Sequence, residues 1–176
     1  MERIVVGVDG SNASQRALAW AIDQARRCEA EVEVVHAWTM PDMGPDPLAQ
    51  ALADPAELEA QARRELRLVA HGADDSGLAA PLEPSLVCDD PVHALVEAAK
   101  GADLLVVGCR GLGARGDAAL GSVSHGVLRE TSCPVVVVPA DTEEATLSER
   151  SERTRQHRPG REAPRLTAQP RKEAER

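Results

Sequence analysis

The chain has 176 residues, a net charge of −9, and neither Phe nor Tyr, so its core must be built from Val, Leu, Ile and Ala. That length suits one domain plus an appendage. An acidic body with two Trp residues (Trp20, Trp38) and no other stacking rings excludes a general binder of nucleic acid, which needs a basic face or aromatic platforms. No apolar run approaches the ~20 residues of a membrane span, and the opening Met1 to Ile4 leads straight into strand-like sequence, so neither a membrane segment nor a signal peptide is expected. Four scattered cysteines (Cys28, Cys88, Cys109, Cys133), with no C-x-x-C pair and no histidine at ligand spacing, read as reduced thiols of a cytoplasmic protein without a metal centre.

In chain order, Ile4 to Val8 reads as a short buried strand. Ser11 to Cys28 reads as a helix with Leu18, Ala21, Ile22 and Ala25 on one face. Glu31 to Trp38 is a strand whose first half alternates with acids. Thr39 to Leu52 is Pro- and Met-containing loop, with some helix at its end as the alternative. Asp54 and Pro55 open a second helix, with Glu57 placed to complete a capping box and Leu58, Ala62, Leu66 and Val69 on its inner side. Leu82 to Val87 is a strand that Pro84 assigns to a sheet edge. Asp90 and Pro91 start a third helix with Val92, Leu95, Val96 and Ala99 inward and Gly101 as its stop. Ala102 to Val107 is a buried strand, Ser122 to Glu130 a helix, and Pro134 to Val138 a last strand.

Five strands separated by four helical patterns predict an α/β fold, a doubly wound five-stranded parallel sheet. In the common order 3-2-1-4-5, strands one and four are neighbours at the point where the winding reverses, which is where such sheets hold ligands. Residues 1–140 carry 21 acids and 11 bases, −10, whereas residues 141–176 carry 8 acids and 9 bases, +1. This tail is rich in Arg, Glu, Ser and Pro, cannot bury enough apolar surface to offset ordering entropy, and is expected to be disordered.

The most telling stretch follows the fourth strand: Gly108, Cys109, Arg110, Gly111, then nine residues, then Gly121 and Ser122 at a helix start. Glycines let a backbone turn tightly and approach an anion, and the free N–H groups of a helix start point at it. A serine there adds a hydroxyl. The same loop spells G-x-G-x-x-G from Gly111 to Gly116, but that dinucleotide fingerprint belongs after a first strand and needs an acid about 20 residues on; Glu130 falls within a helix instead. No Walker lysine, G-x-S-x-G elbow or catalytic triad is present, so a binding module is favoured over an enzyme, with slow ATP hydrolysis the enzymatic alternative. Asp9, after strand one, either caps the first helix or reaches the ligand. His36 and His125 read as structural.

Residues 4–140 resemble a universal stress protein domain. The spacing Gly108, Gly111, Gly121, Ser122 matches the G-x2-G-x9-G-[S/T] motif of that family's ATP-binding branch, and Val6 to Ser11 and Cys133 to Pro139 look like its first and last strands. The resemblance implies a flavodoxin-like, adenine nucleotide alpha hydrolase-like sheet and a regulatory module that binds ATP, with Mg2+ accompanying it. It implies that Asp9 lies near the adenosine and any metal, that the backbone of Ala37 meets the adenine edge, and that Gly108, Arg110 and Gly111 line the ribose and phosphate turn. Gly121, Ser122, Val123 and Ser124 would hold phosphates through N–H and hydroxyl groups. It further implies a homodimer through Val135 to Val138 and a regulatory protein partner. Asp117, inside the loop, would repel a polyphosphate unless a cation bridges them or Arg115 offsets its charge.

Overall fold

Ile4, Val5 and Val6 are wholly buried and form the centre of β1 (Arg3–Gly7), the middle strand of the sheet. The computed structural model describes residues 1–40, 54–112 and 120–139. The chain divides into the units Met1–Asp141 and Thr142–Arg176, and the fold described belongs to the first. The tail, most of the loop expected over 39–52, and residues 113–119 with Arg115, Asp117 and most of the decoy fingerprint lie outside the described residues.

After β1 come α1 (Asn12–Cys28), β2 (Glu31–Trp38), α2 (Pro55–Gly72), β3 (Glu83–Cys88), α3 (Pro91–Ala98), β4 (Leu104–Gly108), α4 (Ser122–Glu130) and β5 (Val135–Val138). Every pairing is parallel and the strand order is β3-β2-β1-β4-β5, the order expected. Strand ends differ from the sequence reading by a residue or two, because apolar runs mark burial and not the last ladder bond.

Alternation along β1 separates two apolar layers. Ile4 and Val6 face Leu18, Ile22 and Leu66 of α1 and α2; Val5 faces Leu95 of α3 and Val127 of α4. The sheet is therefore covered on both sides, and its central strands can be continuous Val and Leu. Pro84 does sit on an edge strand, β3. Glu57 does not close the expected capping box: Asp54 alone caps α2, accepting from Ala56 N at 2.9 Å, and Pro55 at the first helical position already removes one orphan donor.

Three other helix starts are equally well sealed or deliberately open. Ser11 caps α1 by accepting from Ser14 N, and Asp90 caps α3 by accepting from Val92 N and His93 N. The start of α4 has Gly121 at the cap position and no side-chain cap. At the opposite end of the strands, the Arg3 guanidinium ties β1 to β2 and α3, reaching Glu33 at 2.5 Å and the Ala98 carbonyl at 3.0 Å.

Leu105, on β4, has no exposed surface and packs in the layer under α3 and α4. Leu105→Ala is expected to cost about 2–5 kcal/mol in urea denaturation; a loss below about 1 kcal/mol would contradict its place in a close-packed layer.

Candidate functional site

At the carboxyl ends of β1 and β4, where the winding reverses, a cavity of about 560 Å³ opens. Its depth is set by contacts that leave no room for side chains. A Cβ on Gly108 would lie 2.7 Å from the Ala13 carbonyl carbon and 2.9 Å from its oxygen, so β4 ends directly against the first turn of α1. A Cβ on Gly111 would fall on Asp9 Oδ2. Gly121 differs: it has φ −73°, and its nearest neighbours would be 3.5 Å from a Cβ. The folded chain could accept a methyl at 121, so its glycine is not demanded by the protein's own packing.

Asp9 connects the two sides of the cavity mouth. Its Oδ1 accepts from Ser11 N at 3.0 Å and Ser11 Oγ at 2.6 Å, and its Oδ2 accepts from Leu112 N at 3.0 Å. The cap of α1 is Ser11, so of the two roles open to Asp9, capping does not fall to it directly. It braces the cap and holds the glycine turn. Burial pushes its carboxyl up, but the hydrogen bonds from Ser11 and Leu112 outweigh this and hold it below the usual carboxylate value. Asp9 is thus an anion at neutral pH on the cavity wall.

The glycine loop is closed at its base, where Gly121 N donates to the Cys109 carbonyl at 2.7 Å. Ser122, Val123 and Ser124 form the first turn of α4 and line the cavity with Arg110. Since α4 has no side-chain cap, its first N–H groups and its positive dipole end face the cavity, which suits an anion. Ser124 departs from expectation. Its hydroxyl is buried and donates to the Gly108 carbonyl at 2.7 Å, so its proton fastens α4 to β4 and is not presented to a ligand. Ser122 is exposed.

Ala37 lies on the far side of the cavity, near the end of β2. The Val35 carbonyl accepts from Val8 N at 2.9 Å and so faces β1, whereas the Trp38 carbonyl accepts from Asp89 N at 3.0 Å and faces β3. Backbone groups alternate sides along a strand. The N–H and C=O of Ala37 therefore point toward β1, beyond its last paired residue, and form a donor and acceptor edge. All nine residues singled out in the sequence, from Asp9 and Ala37 to Ser124, thus border one cavity.

The sequence reading missed Pro91 and Leu95 of α3, which line the same cavity beside Ala37. Every helix that follows a strand of a parallel sheet starts at this end, and that rule could have found Pro91. His36 is structural: it is buried, and its Nδ1–H donates to the Val8 carbonyl at 2.8 Å. A second, larger cavity of about 700 Å³ lies between α1 and α2. It shares Asp9 and adds Asp23, Glu65 and Asp74 to its wall, and its guanidinium, Arg26, is already spent on Asp23, Asp74 and the Ser76 carbonyl, so it does not favour an anion. Among the described residues no group of three or more His, Cys, Asp or Glu is placed to hold a metal ion, and no helix is long and apolar enough to cross a membrane.

A doubly wound sheet with an uncapped helix start and a free strand edge around one cavity places this chain among the α/β folds whose switch point, at the carboxyl ends of the strands, is where ligands are held. The model of the universal stress protein family matches residues 1–139, and the chain belongs to that family. A universal stress protein of Thermus aquaticus, from the 3' region of QAH/OAS sulfhydrylase, is 38% identical over 77% of this chain and 96% of its own length. One from Mycobacterium tuberculosis is 35% identical over 76% of this chain but only 44% of its own length; the chain spans less than half of such mycobacterial relatives. Among solved structures, a universal stress protein in complex with cAMP is 29% identical with a TM-score of 0.50, over 78% of this chain and 95% of that one. A family member from Burkholderia pseudomallei is also 29% identical, with a TM-score of 0.57, over 79% and 96%.

The Asp9 brace gives a pH signature. Its folded pKa is depressed, so its stabilisation is complete above the unfolded value of about 4 and is lost as pH falls through the lower folded value. Asp9→Asn should therefore be less stable than the wild type near neutral pH, with the gap closing below about pH 4. Urea midpoints across that range check it; a gap independent of pH would contradict the brace.

Proposed function

We propose that this chain is an ATP-binding universal stress protein, a cytoplasmic regulatory module whose affinity for a protein partner depends on the nucleotide it holds. The uncapped start of α4, facing a cavity whose opposite wall offers the free backbone edge of Ala37, carries this reading. Adenine presents an adjacent donor and acceptor that such an edge can pair, and the phosphates would meet the N–H groups of Ser122, Val123 and Ser124, the Ser122 hydroxyl and Arg110. The spare room at Gly121 fits a ligand that needs close approach. The solved relative in complex with cAMP supports an adenine nucleotide as the class. Because Asp9 is ionised beside the same space, ATP is expected to bind with Mg2+ screening the repulsion.

Calorimetry and thermal shift with ATP and Mg2+ test this reading. At free ATP of about 100 times Kd the wild type should gain about 2.7 kcal/mol. Gly121→Asp, which sets a carboxylate at the helix start, should weaken ATP by at least about tenfold, or about 1.4 kcal/mol. Ser122→Ala, which removes one hydrogen bond, should weaken it by about two- to tenfold. Affinity unchanged in both variants would contradict the assignment.

The same reading includes a homodimer through β5. Leu105 N donates to the Pro134 carbonyl and Cys109 N to the Val138 carbonyl, so Pro134, Val136 and Val138 face β4 while Val135 and Val137 direct their N–H and C=O to the open edge. Such an apolar edge invites another strand. Val137→Pro removes an outward donor without a β4 ladder bond. Sedimentation should show about twice the 18.7 kDa chain mass for the wild type and the single mass for the variant; an unshifted dimer would place the interface elsewhere.

A further inference from the structure

Gly126 is the one glycine inside a described helix apart from Gly72 at the last residue of α2. Glycine is the poorest helix former after proline, so its presence within α4 calls for a packing reason. A Cβ there would lie 2.5 Å from Val92 Cγ2, 3.0 Å from Cγ1 and 3.3 Å from Cβ. Both methyls and the branch carbon are close, and a helical valine has essentially one χ1 rotamer. No side-chain rotation clears that methyl; the helices must separate.

The helices that meet at this point carry opposite walls of the cavity. Val92 belongs to the first turn of α3, between Pro91 and Leu95, which line the cavity beside Ala37. Gly126 lies one turn beyond Ser122 to Ser124, which line it at the helix start. Neither Gly126 nor Val92 borders the cavity itself. α3 is fixed to the sheet by a second tight contact, since a Cβ on Gly7 would lie 2.9 Å from both methyls of Leu95. The start of α4 is tied to β4 through the Ser124 hydroxyl at the Gly108 carbonyl, and a methyl at 126 strains that tie.

The geometry points to Gly126 as a positioning residue: by letting α4 rest on Val92, it sets the distance between the base wall and the N–H groups at the start of α4, and so the affinity for the phosphate part of a nucleotide. This rests on the nucleotide reading above. The effect is selective. A ligand without phosphates leans on Ala37 and on Pro91 and Leu95, whose helix is held to the sheet where Leu95 meets Gly7.

The test is calorimetry of ATP with Mg2+ and of adenosine on the wild type, Gly126→Ala, Val92→Ala and the double variant, with melting temperatures recorded. Gly126→Ala should weaken ATP by about tenfold and adenosine by less than about threefold, and adding Val92→Ala should return ATP to within about threefold of the wild type, a coupling ordinary for residues in contact. Val92→Ile, which enlarges the same contact from the other side, should act like Gly126→Ala and serves if that variant does not fold. General destabilisation would lower the melting temperature and weaken both ligands together; that result, or no rescue in the double variant, overturns the positioning role. ATP binding by the wild type with Gly126→Ala and Val92→Ile unchanged overturns this inference alone. A wild type that binds neither ligand overturns it together with the nucleotide reading.

Discussion

Between Gly108 and Ala13 there is no space for a methyl group, and the site depends on that contact. Because β4 ends against the backbone of α1, the first turns of α1 and α4 are brought to either side of the same strand end. Ser124 then closes the arrangement from the other direction, its hydroxyl donating to the Gly108 carbonyl at 2.7 Å. A side chain at 108 would push α1 off β4. The reversal of winding between β1 and β4 creates the crevice; the missing side chain makes it narrow enough to hold a small ligand.

Within that frame the electrostatics are divided. Ser11, Asp54 and Asp90 satisfy the starts of α1, α2 and α3. The start of α4 is left without a side-chain cap. Leaving N–H groups unpaired at a helix start forgoes roughly 1 kcal/mol of capping, and it does so at the one start that follows the glycine loop. Asp9 adds negative charge at the mouth, held there by Ser11 and Leu112. Its carboxylate fixes the turn at Gly111 and Leu112 while limiting how much anionic charge the cavity accepts without a cation.

Much of this was legible in the sequence, and the rest was not for identifiable reasons. The sheet order followed from five apolar runs alternating with helical spacing, and the glycine loop from its residues alone. Burial periodicity told that Val92 faces inward, but not that it faces Gly126, because partners across two helices depend on how both pack on the sheet. The family resemblance implies a phosphate role for Ser124; only the approach of the Gly108 carbonyl shows where its hydroxyl proton goes. Glu57 satisfied the spacing of a capping box that Asp54 does not need. Pro91 and Leu95 carry no motif, and their place beside Ala37 is a property of the assembled sheet.

In the proposed complex the uncapped start of α4 receives the phosphates while the base lies toward Ala37. Backbone amide NMR of the full chain, titrated separately with adenosine and with ATP and Mg2+, tests it most directly. Ala37 should respond to both ligands, whereas the amides of Ser122, Val123 and Ser124 should shift strongly with ATP and little with adenosine. If those three amides stay in place under saturating ATP, or respond equally to adenosine, the helix start is not the phosphate site and the account fails.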